Sequence, residues 1–290
     1  MKLSETSKNR LCWSFEIFPP KPTSDVSVME KTIAELAALK PDFISVTCSA
    51  GGSGNSRTAE VAGLLKNKYG VEPIAHITCI NSDKHEIAAE LEKLDGMGIE
   101  NVLALRGDRI PGADNGAFRH ANELVEFIKS IKPHFDIAGA CYPETHPESP
   151  SLEYDLEYLK LKVDSGVTHL ITQLFFDNED FFRFRERCLR HGIDVPIHAG
   201  IMPLVKKSNV DRIIALSGAK IPNKVSRMIA KYSDDPESLM QAGLAYATDQ
   251  AADLIAGGAE GVHVYVMNNP VVAKTITDNL SSILSSDERS

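Results

Sequence analysis

The sequence lacks the features that mark membrane, secreted and nucleic-acid-binding proteins. No apolar run approaches the roughly 20 residues that a membrane-spanning helix requires. The N-terminus, MKLSETSKNR, carries charge but is not followed by the apolar stretch of a secretory signal. A formal net charge of −9 disfavours a surface of clustered Lys and Arg for binding phosphates. We therefore expect a cytoplasmic protein whose partner is a small molecule.

The chain also lacks paired cysteines. Its five cysteines are widely spaced, odd in number and form no C-x-x-C pair: Cys12, Cys48, Cys79, Cys141 and Cys188. This pattern argues against disulfides, zinc ribbons and iron–sulfur ligation, so no metal site is expected. Because Cys48, Cys79 and Cys141 lie within or beside apolar segments, they are interpreted as small core residues.

Eight short apolar segments of strand length recur along the chain. They are SFEIFPP (14–20), DFISVTC (42–48), PIAHITC (73–79), NVLALRG (101–107), DIAGACY (136–142), HLITQLF (169–175), PIHAGIM (196–202) and GVHVYVM (261–267). Segments with helical apolar spacing lie between them, such as HEIAAELEKLDGMG, ANELVEFIKSI and NVDRIIALSG. Alternation over eight units predicts a closed (β/α)8 TIM barrel rather than an open doubly wound sheet.

The segment between the last two predicted strands is longer than the repeat requires. Residues 203–260 contain two further helical patterns, KIPNKVSRMIAKY and PESLMQAGLAYATDQAADLIAGG, so an extra helix is expected there. The 290 residues slightly exceed the length of about 250 that is typical of such barrels. Because no linker-like segment divides the chain, we predict a single domain over residues 1–290.

Most of the predicted strands end in a polar residue. These residues are Glu16, Thr47, His76, Arg106 with Asp108, Tyr142, Gln173 and Asn268. In a (β/α)8 barrel the C-terminal ends of the strands meet at one mouth, where the reacting groups lie. Strand alternation places Ser14 and Glu16 inside the barrel, and it places Ala104, Arg106 and Asp108 inside in the fourth strand. The sequence therefore predicts one polar site at the mouth.

Glu16 is the first candidate for chemistry because it interrupts the apolar string FEIF. A carboxyl group in such surroundings is costly to ionise, so it is expected to hold its proton near neutral pH. That is the environment of a general acid. An internal ion pair of Glu16 with Arg106 or Lys21 is the structural alternative.

Three further motifs suit the binding of a polar ring and phosphates. LALRGD (103–108) sets opposed charges around a glycine, and CYPETHPES (141–149) is a loop held by prolines. Asp155 and Lys162 lie two turns apart on one predicted helix, and Gln173 can both donate and accept hydrogen bonds. A local salt bridge at a strand end is the alternative interpretation of LALRGD. A solvated helix face is the alternative interpretation of Asp155 and Lys162.

Taken together, several motifs resemble those of the 5,10-methylenetetrahydrofolate reductase family and occur in the family's order. They are FEIFPPK (15–21), SVTCSAGG (45–52), AHITC (75–79), LALRGD, YPETHPE (142–148), LKVDSGVTHLITQLFFD (161–177), GIMP (200–203) and HVYVMN (263–268). The resemblance implies a barrel with noncovalent FAD that reduces 5,10-methylenetetrahydrofolate to 5-methyltetrahydrofolate by ping-pong hydride transfer. NADH or NADPH is the usual donor, and the reaction belongs to the one-carbon metabolism that supplies methionine biosynthesis.

The resemblance also implies roles for individual residues. Glu16 matches the acid that protonates N10 of the folate, Asp108 matches a carboxylate between flavin and pterin, and Gln173 matches an amide that contacts the folate. The positions matching FAD contacts are Thr47, His76, Arg106, Gly107, Asp108, His120, Ala121, Tyr142, His146, Ser149, Asp155, Tyr158 and Lys162. Asn209 and Asn269 fall on positions associated with substrate binding.

Departures from the family pattern leave the electron donor open. Asn269 stands where the family commonly has Arg, and Asn209 and Ile213 stand where well-known bacterial members have Gln and an aromatic residue. Some similar anaerobic members work beside a cysteine-rich electron-transfer subunit, so such a partner is kept as an alternative to NADH or NADPH. A pterin-binding methyltransferase barrel and a barrel subunit of a larger electron-transfer complex are the competing functions. A homo-oligomer is expected.

Overall fold

A computed structural model describes residues 2–6, 10–48, 57–108, 116–208 and 218–287 of the chain. Its strands are β1 Cys12–Ile17, β2 Phe43–Val46, β3 Pro73–Thr78, β4 Asn101–Leu105, β5 Asp136–Cys141, β6 His169–Thr172, β7 Ile197–Ile201 and β8 Gly261–Tyr265. They pair in parallel in the order of the sequence, and β8 closes on β1. The predicted (β/α)8 TIM barrel is therefore confirmed.

Helices follow the strands and surround the barrel. They are α1 Leu3–Thr6, α2 Glu30–Ala37, α3 Thr58–Tyr69, α4 Lys84–Gly96, α5 Ala121–Ile131, α6 Leu152–Asp164, α7 Asn178–Arg190, α8 Asn223–Tyr232, α9 Pro236–Ala256, α10 Pro270–Asn279 and α11 Ser281–Asp287. Helices α8 and α9 both lie between β7 and β8, which confirms the extra helix. The helix predicted from NVDRIIALSG falls mostly on residues 209–217, outside the described residues.

Local sequence signals explain where several helices begin. Asp83 and Glu86 form a reciprocal capping box at the start of α4. Helix α9 starts with Pro236 at its first turn and with Asp235 accepting hydrogen bonds from backbone N–H groups of that turn. None of the helices in the described part of the chain is long and apolar enough to cross a membrane.

Side-chain alternation divides each strand between the barrel interior and an outer core against the helices. Phe15 and Ile17 of β1 lie in the outer core, as do Ile44 and Val46 of β2. The interior apolar cluster consists of Leu3, Cys12, Phe43, Ile74, Leu103, Ala138 and Ile171. Ser14 and Ser45 are also fully buried, and both hydrogen-bond to His263. The barrel interior is therefore a packed mixture of polar and apolar groups.

Strand β4 faces the opposite way from the prediction based on its polar end. Ala104 belongs to the outer core, whereas Leu103 packs in the interior and Leu105 packs against the same cluster. The register agrees, because the interior residue His76 of β3 pairs with Leu103. The predicted inward position of Ala104 is therefore wrong.

The error on β4 has a physical reason. The strand ends at Leu105, so Arg106 and Asp108 already belong to the following loop. Gly107 between them has a φ of +89°, a left-handed conformation that interrupts the side-chain alternation of a strand. The two charged residues therefore reach the mouth through a turn rather than by continuing the strand.

Helix α1 packs at the lower end of the barrel. Leu3 is 1% exposed and joins the interior cluster, so it fills the space below the first layer of side chains. Its backbone N–H donates to Oδ1 of Asn101 at 3.0 Å, and the N–H of Ser4 donates to Oδ2 of Asp136 at 2.7 Å. These bonds tie α1 to the first residues of β4 and β5. The C-terminal ends of the strands form the opposite, open end.

Two histidine rings stack on Phe43 inside the barrel, and a third histidine lies beside one of them. The rings of His198 and His263 stack on Phe43 with centroids 5.8 and 5.4 Å away, and His169 lies 5.7 Å from His198. Burial lowers the pKa of His169 to about 4 and lowers the pKa of His198 well below its ordinary value. Desolvation favours the uncharged imidazole, so His169 and His198 carry no charge at neutral pH.

Replacing His169 with Gln is expected to make folding less sensitive to acid. Folded His169 titrates near pH 4, whereas the unfolded side chain takes up its proton near its ordinary pKa of 6.5. The unfolded state therefore binds more protons in this window, so stability falls as the pH drops from about 6.5 to about 4. At about 1.4 kcal/mol for each unit of pKa difference, this residue accounts for a loss of up to about 3 kcal/mol.

Urea denaturation at a series of pH values measures this effect. The His169→Gln variant should lose less stability than the wild type between pH 6.5 and pH 4, whatever its stability at pH 7. His85→Gln, which removes an exposed imidazole from α4, is the control for changes at the surface. An unchanged pH dependence in His169→Gln would show that the buried imidazole is not the source of the acid sensitivity.

Candidate functional site

The C-terminal ends of the strands enclose a cavity of about 400 Å³. This volume lies within the range of about 300–1,000 Å³ that is usual for small-molecule sites. The predicted site residues that line it are Glu16, Thr47, His76, Arg106, Gly107, Asp108, Ala121, Tyr142, His146, Lys162 and Gln173. They come from six strands or strand-end loops and from two helices, so barrel closure brings together residues far apart in the sequence.

Glu16 lies in the cavity at the end of β1 beside one hydroxyl group and two imidazole rings. Its Oε2 is 3.4 Å from Oγ of Ser45, 3.6 Å from Nε2 of His76 and 3.9 Å from Nε2 of His263. Burial lowers the pKa of His76 to about 4, so this neighbour is neutral near pH 7. Glu16 is thus held by groups that can hydrogen-bond to its carboxyl without carrying a permanent positive charge.

The predicted ion-pair alternative for Glu16 does not form. Arg106 instead makes two bonds of 2.8 Å with the carboxylate of Glu148, and Lys21 is exposed. Within the described ranges of the chain, no Lys or Arg forms an ion pair with Glu16. A proton donor needs this environment, because a neighbouring cation would favour the ionised carboxylate.

Three buried polar atoms of cavity-lining residues make no hydrogen bond within the described part of the chain. Among the residues that the structure describes, Oγ1 of Thr47 and Nε2 of His76 make no hydrogen bond, and Oδ1 of Asn81 makes none either. All three residues line the cavity. A buried polar atom without a partner costs about 1–3 kcal/mol. These atoms therefore indicate a ligand that supplies donors and acceptors at this end of the barrel.

The loop after β4 combines both signs of charge with a close backbone approach. A side chain at Gly107 would place its Cβ 2.6 Å from Cγ2 of Ile80, so only glycine fits at this point of the cavity wall. Asp108 is exposed at the rim. The bond with Glu148 raises the pKa of Arg106, which keeps the guanidinium charged. This loop can bind the edge of a polar ring or the phosphates of a cofactor.

The loop after β5 is held in place from α6. Asp155 accepts a hydrogen bond of 2.9 Å from the backbone N–H of His146, whose ring lies 4.6 Å from that of Tyr142. Lys162 donates to the carbonyl oxygen of Ala140 at 2.7 Å, and burial lowers the pKa of its ammonium group. Asp155 therefore positions the loop, while Lys162 lies in the wall of the cavity.

Four of the residues matched to FAD contacts lie outside the cavity lining: Asp155, which holds the loop after β5, and His120, Ser149 and Tyr158. The ring of His120 is 5.9 Å from that of Tyr158, whose hydroxyl accepts a bond of 3.0 Å from Tyr154. Ser149 donates to the carbonyl oxygen of Ser151 at 2.9 Å. These residues lie at the start of α5 and along or just before α6, where they contact other protein groups.

The far wall of the cavity is built by β6 and β8. Gln173 follows β6, and its Oε1 accepts a bond of 2.9 Å from the N–H of Leu174. The hydroxyl of Tyr265 donates to the carbonyl oxygen of Thr172 at 2.6 Å, and its ring lines the cavity. A Cβ at Gly200 would lie 2.6 Å from the Tyr265 hydroxyl, so the small residue leaves space for this tyrosine.

The two asparagines after β8 both have structural roles. The side chain of Asn268 accepts from the N–H of Phe18 at 2.8 Å and donates to the carbonyl oxygen of Phe18 at 3.0 Å. It thereby holds the loop that follows Glu16. Asn269 caps α10, because its Oδ1 accepts a bond of 3.1 Å from the N–H of Val271. Asn269 does not line the cavity, and Asn209 lies outside the described residues.

Comparison with known proteins agrees with this geometry. The chain matches the methylenetetrahydrofolate reductase family over residues 2–281. The chain belongs to this family. The 5,10-methylenetetrahydrofolate reductases of Pectobacterium carotovorum subsp. carotovorum and Escherichia coli strain K12 are 34% and 35% identical to it. These matches cover 94% and 92% of this chain and 91% and 90% of the two relatives.

A plant relative and a solved structure extend the comparison. The Arabidopsis thaliana protein named methylenetetrahydrofolate reductase (NADH) 1 is 35% identical over 97% of this chain, which spans 50% of that longer protein. An uncharacterized protein from Clostridium thermocellum, described as binding two copies of 5-methyl-5,6,7,8-tetrahydrofolic acid, has a TM-score of 0.72. It covers 98% of this chain and 99% of its own at 14% identity, so this likeness shows the barrel fold alone.

The family resemblance assigned no role to three residues of the motifs SVTCSAGG and HVYVMN that the structure places near Glu16. Ser45 and His263 contact its carboxyl group from β2 and β8, and Tyr265 lies one side-chain layer above His263. Strand alternation could have found them, because His263 and Tyr265 are two residues apart and therefore share the inner face. The contacts of His263 and Tyr265 with β1 depend on the closing pair of strands, and that of Ser45 depends on the pairing of β1 with β2. No local pattern reveals either pairing.

The two asparagines give a matched test of the loop that follows Glu16. Asn268 has a φ of +57°, so Asn268→Gly keeps the backbone conformation and removes the two bonds to Phe18 together with a 3.7 Å contact with the sulfur of Met29. We expect a loss of about 1–2 kcal/mol of stability together with slower turnover. The neighbouring Asn269→Gly should cost only about a few tenths of a kcal/mol, because glycine is tolerated at the N-cap. Thermal unfolding measures both, and equal losses would contradict the distinction.

Proposed function

We propose that the chain reduces 5,10-methylenetetrahydrofolate to 5-methyltetrahydrofolate with an FAD bound in the mouth of the barrel. The observation that carries the proposal is the placement of Glu16 at the cavity, beside neutral hydrogen-bonding groups and without a cationic partner among the described residues. Family membership supports this reaction class. The methylene bridge of the substrate is a poor hydride acceptor until its ring opens, so the reaction needs an acid of this kind.

The cavity fits a flavin by the chemistry of its unpartnered groups. Thr47 and His76 would offer hydrogen bonds to a ring with alternating donors and acceptors, and Gly107 would let the backbone approach it. Arg106 and Lys162 would face the phosphate-bearing part of the cofactor, with Tyr142 and His146 in the same wall. When bound, FAD supplies hydride transfer at N5.

Residues of the chain would supply proton donation and substrate binding. Glu16 would donate its proton to N10 of the folate, which breaks the bond from N10 to the bridging carbon and leaves an iminium at N5. Asp108 would accept hydrogen bonds from the pterin edge, and the amide of Gln173 would hold the same ring system. All three residues line the same cavity, so proton donation and substrate orientation would occur within one site.

The donor is expected to be NADH or NADPH. The plant relative is named for NADH, which supports this class of donor. A cysteine-rich electron-transfer subunit is the alternative electron donor. It is suggested by Asn269, which stands where the family commonly has Arg and whose side chain caps α10. We propose further that the chain acts as a single catalytic domain in a cytoplasmic homo-oligomer.

A visible spectrum followed by anaerobic titration tests the cofactor and the donor together. We expect a yellow protein whose flavin absorbance is bleached by NADH or NADPH and returns on addition of 5,10-methylenetetrahydrofolate. A colourless protein that binds folate would favour the pterin-dependent methyltransferase. A flavin that neither nucleotide reduces would point to the partner subunit.

The variant Glu16→Gln tests the proposed acid. Glutamine keeps the shape and a hydrogen-bonding group but has no proton to donate, so folate reduction should fall by at least about 100-fold. Reduction of the flavin by NADH needs no such proton and serves as the internal control. The two half-reactions are measured separately by stopped-flow absorbance. Unchanged folate turnover in this variant would contradict the role of Glu16.

A further inference from the structure

A chain of hydrogen bonds runs from Glu16 into the barrel interior. Oγ of Ser45 lies 3.4 Å from Oε2 of Glu16 and 3.1 Å from Nε2 of His263. The other ring nitrogen of His263, Nδ1, is 2.8 Å from Oγ of Ser14. Ser14 also lies 3.3 Å from the carbonyl oxygen of Val262, to which its hydroxyl can donate. The row of hydrogen bonds therefore ends at a backbone carbonyl oxygen.

Counting protons along this chain gives two fully bonded arrangements. In the first, protonated Glu16 donates to Oγ of Ser45, and the Ser45 hydroxyl donates to Nε2 of His263. Nδ1–H of His263 then donates to Ser14, whose hydroxyl donates to the carbonyl oxygen of Val262. This arrangement satisfies the acid form of Glu16 with a neutral imidazole.

The second arrangement contains one proton fewer and runs in the opposite direction. The Ser14 hydroxyl donates to Nδ1 of His263, Nε2–H donates to Oγ of Ser45, and the Ser45 hydroxyl donates to ionised Glu16. The missing proton is the one that Glu16 gives to the substrate. The imidazole is again neutral and has changed only its tautomer.

We propose that Ser45 and His263 form a reversible hydrogen-bond switch that accommodates Glu16 both as the acid and as the carboxylate. Both are positioning residues, since they act on the substrate only through Glu16. The inference rests on the acid role proposed for that residue. Without the switch, one of the two protonation states of Glu16 would face a mismatched donor or acceptor in a buried site, which destabilises that state.

The groups around His263 fix its ring and add no further charged group to the row of hydrogen bonds. His263 is fully buried, and its ring is stacked on Phe43 at a centroid distance of 5.4 Å, so its orientation is fixed. The titratable groups facing Glu16 and His263 are His76 from β3, His198 from β7 and Tyr265 from β8. Burial keeps all three uncharged near neutral pH, because it lowers the pKa of the histidines and raises that of the tyrosine.

Opposite pH shifts in two variants test the proposal. Ser45→Ala removes the hydrogen-bond donor to the carboxylate, so Glu16 should keep its proton to a higher pH. The pH at which the rate of folate reduction falls should therefore rise by about one unit. His263→Phe removes the competing acceptor, so the Ser45 hydroxyl donates to Glu16 at all times and the same fall should move downward. A residue that merely supports the fold would change the rate without moving the two profiles in opposite directions.

The conservative variant Ser45→Thr is the matched control. It restores the hydroxyl at the same position, so its pH profile should return toward that of the wild type. Shifts of Ser45→Ala and His263→Phe in the same direction, or no shift in either, would overturn the switch. Loss of activity in Glu16→Gln with unshifted profiles in the other variants would reject the switch and leave the acid role standing. Retained activity in Glu16→Gln would reject the acid role itself.

Nitrogen NMR of the wild-type holoenzyme gives a readout that is not a reaction rate. With ¹⁵N-labelled histidine, the resonances of His263 should change from the Nδ1–H tautomer to the Nε2–H tautomer over the pH range in which folate reduction slows. The signal is assigned by its absence in His263→Phe or, if that variant does not fold, in His263→Gln. A single tautomer throughout, or formation of an imidazolium, would contradict the proposal.

Discussion

Closure of eight parallel strands is the constraint on which the rest of the structure depends. Each strand contributes one end to the mouth, so residues as distant as Glu16 and Tyr265 become neighbours through the pairing of β1 with β8. The opposite end is occupied by Leu3 and by the backbone bonds of α1 to Asn101 and Asp136. The polar residues at the C-terminal ends of the strands therefore line a common cavity, because the strand ends converge there.

Desolvation sets the chemistry of that cavity. The interior contains hydroxyls and imidazoles rather than charged pairs, and burial keeps His76, His169 and His198 neutral. A neutral interior can hydrogen-bond to Glu16 in either protonation state without committing it to one charge. The charged residues Arg106 and Asp108 lie instead in the loop after β4, at the rim, where ionised groups of a cofactor or substrate can reach them. The separation of a neutral floor from a charged rim suits a reaction that needs an acid near a bound anionic cofactor.

Local patterns in the sequence predict the strands, their order and most of the cavity, because apolar periodicity and barrel topology together determine where strand ends lie. They fail where the backbone departs from regular geometry or where distant strands meet. Ala104 was placed on the wrong face because Gly107 interrupts the alternation that Arg106 and Asp108 were assumed to continue. The role of Asn269 as a helix cap and the contacts of Ser45 and His263 with Glu16 follow from three-dimensional pairing, which spacing along the chain does not encode. The roles proposed for Asp108 and Gln173 come from the family resemblance, because their positions in the cavity alone leave those roles open.

The central claim is that a flavin and the folate bind in one cavity, where hydride passes from the reduced flavin to a folate activated by Glu16. Anaerobic single turnover measures this directly, by mixing the flavin-reduced protein with 5,10-methylenetetrahydrofolate in the absence of any other donor. We predict that flavin absorbance returns and that 5-methyltetrahydrofolate forms in an amount equal to the flavin oxidised. A flavin that stays reduced, or methyl product that forms without flavin oxidation, would contradict this account.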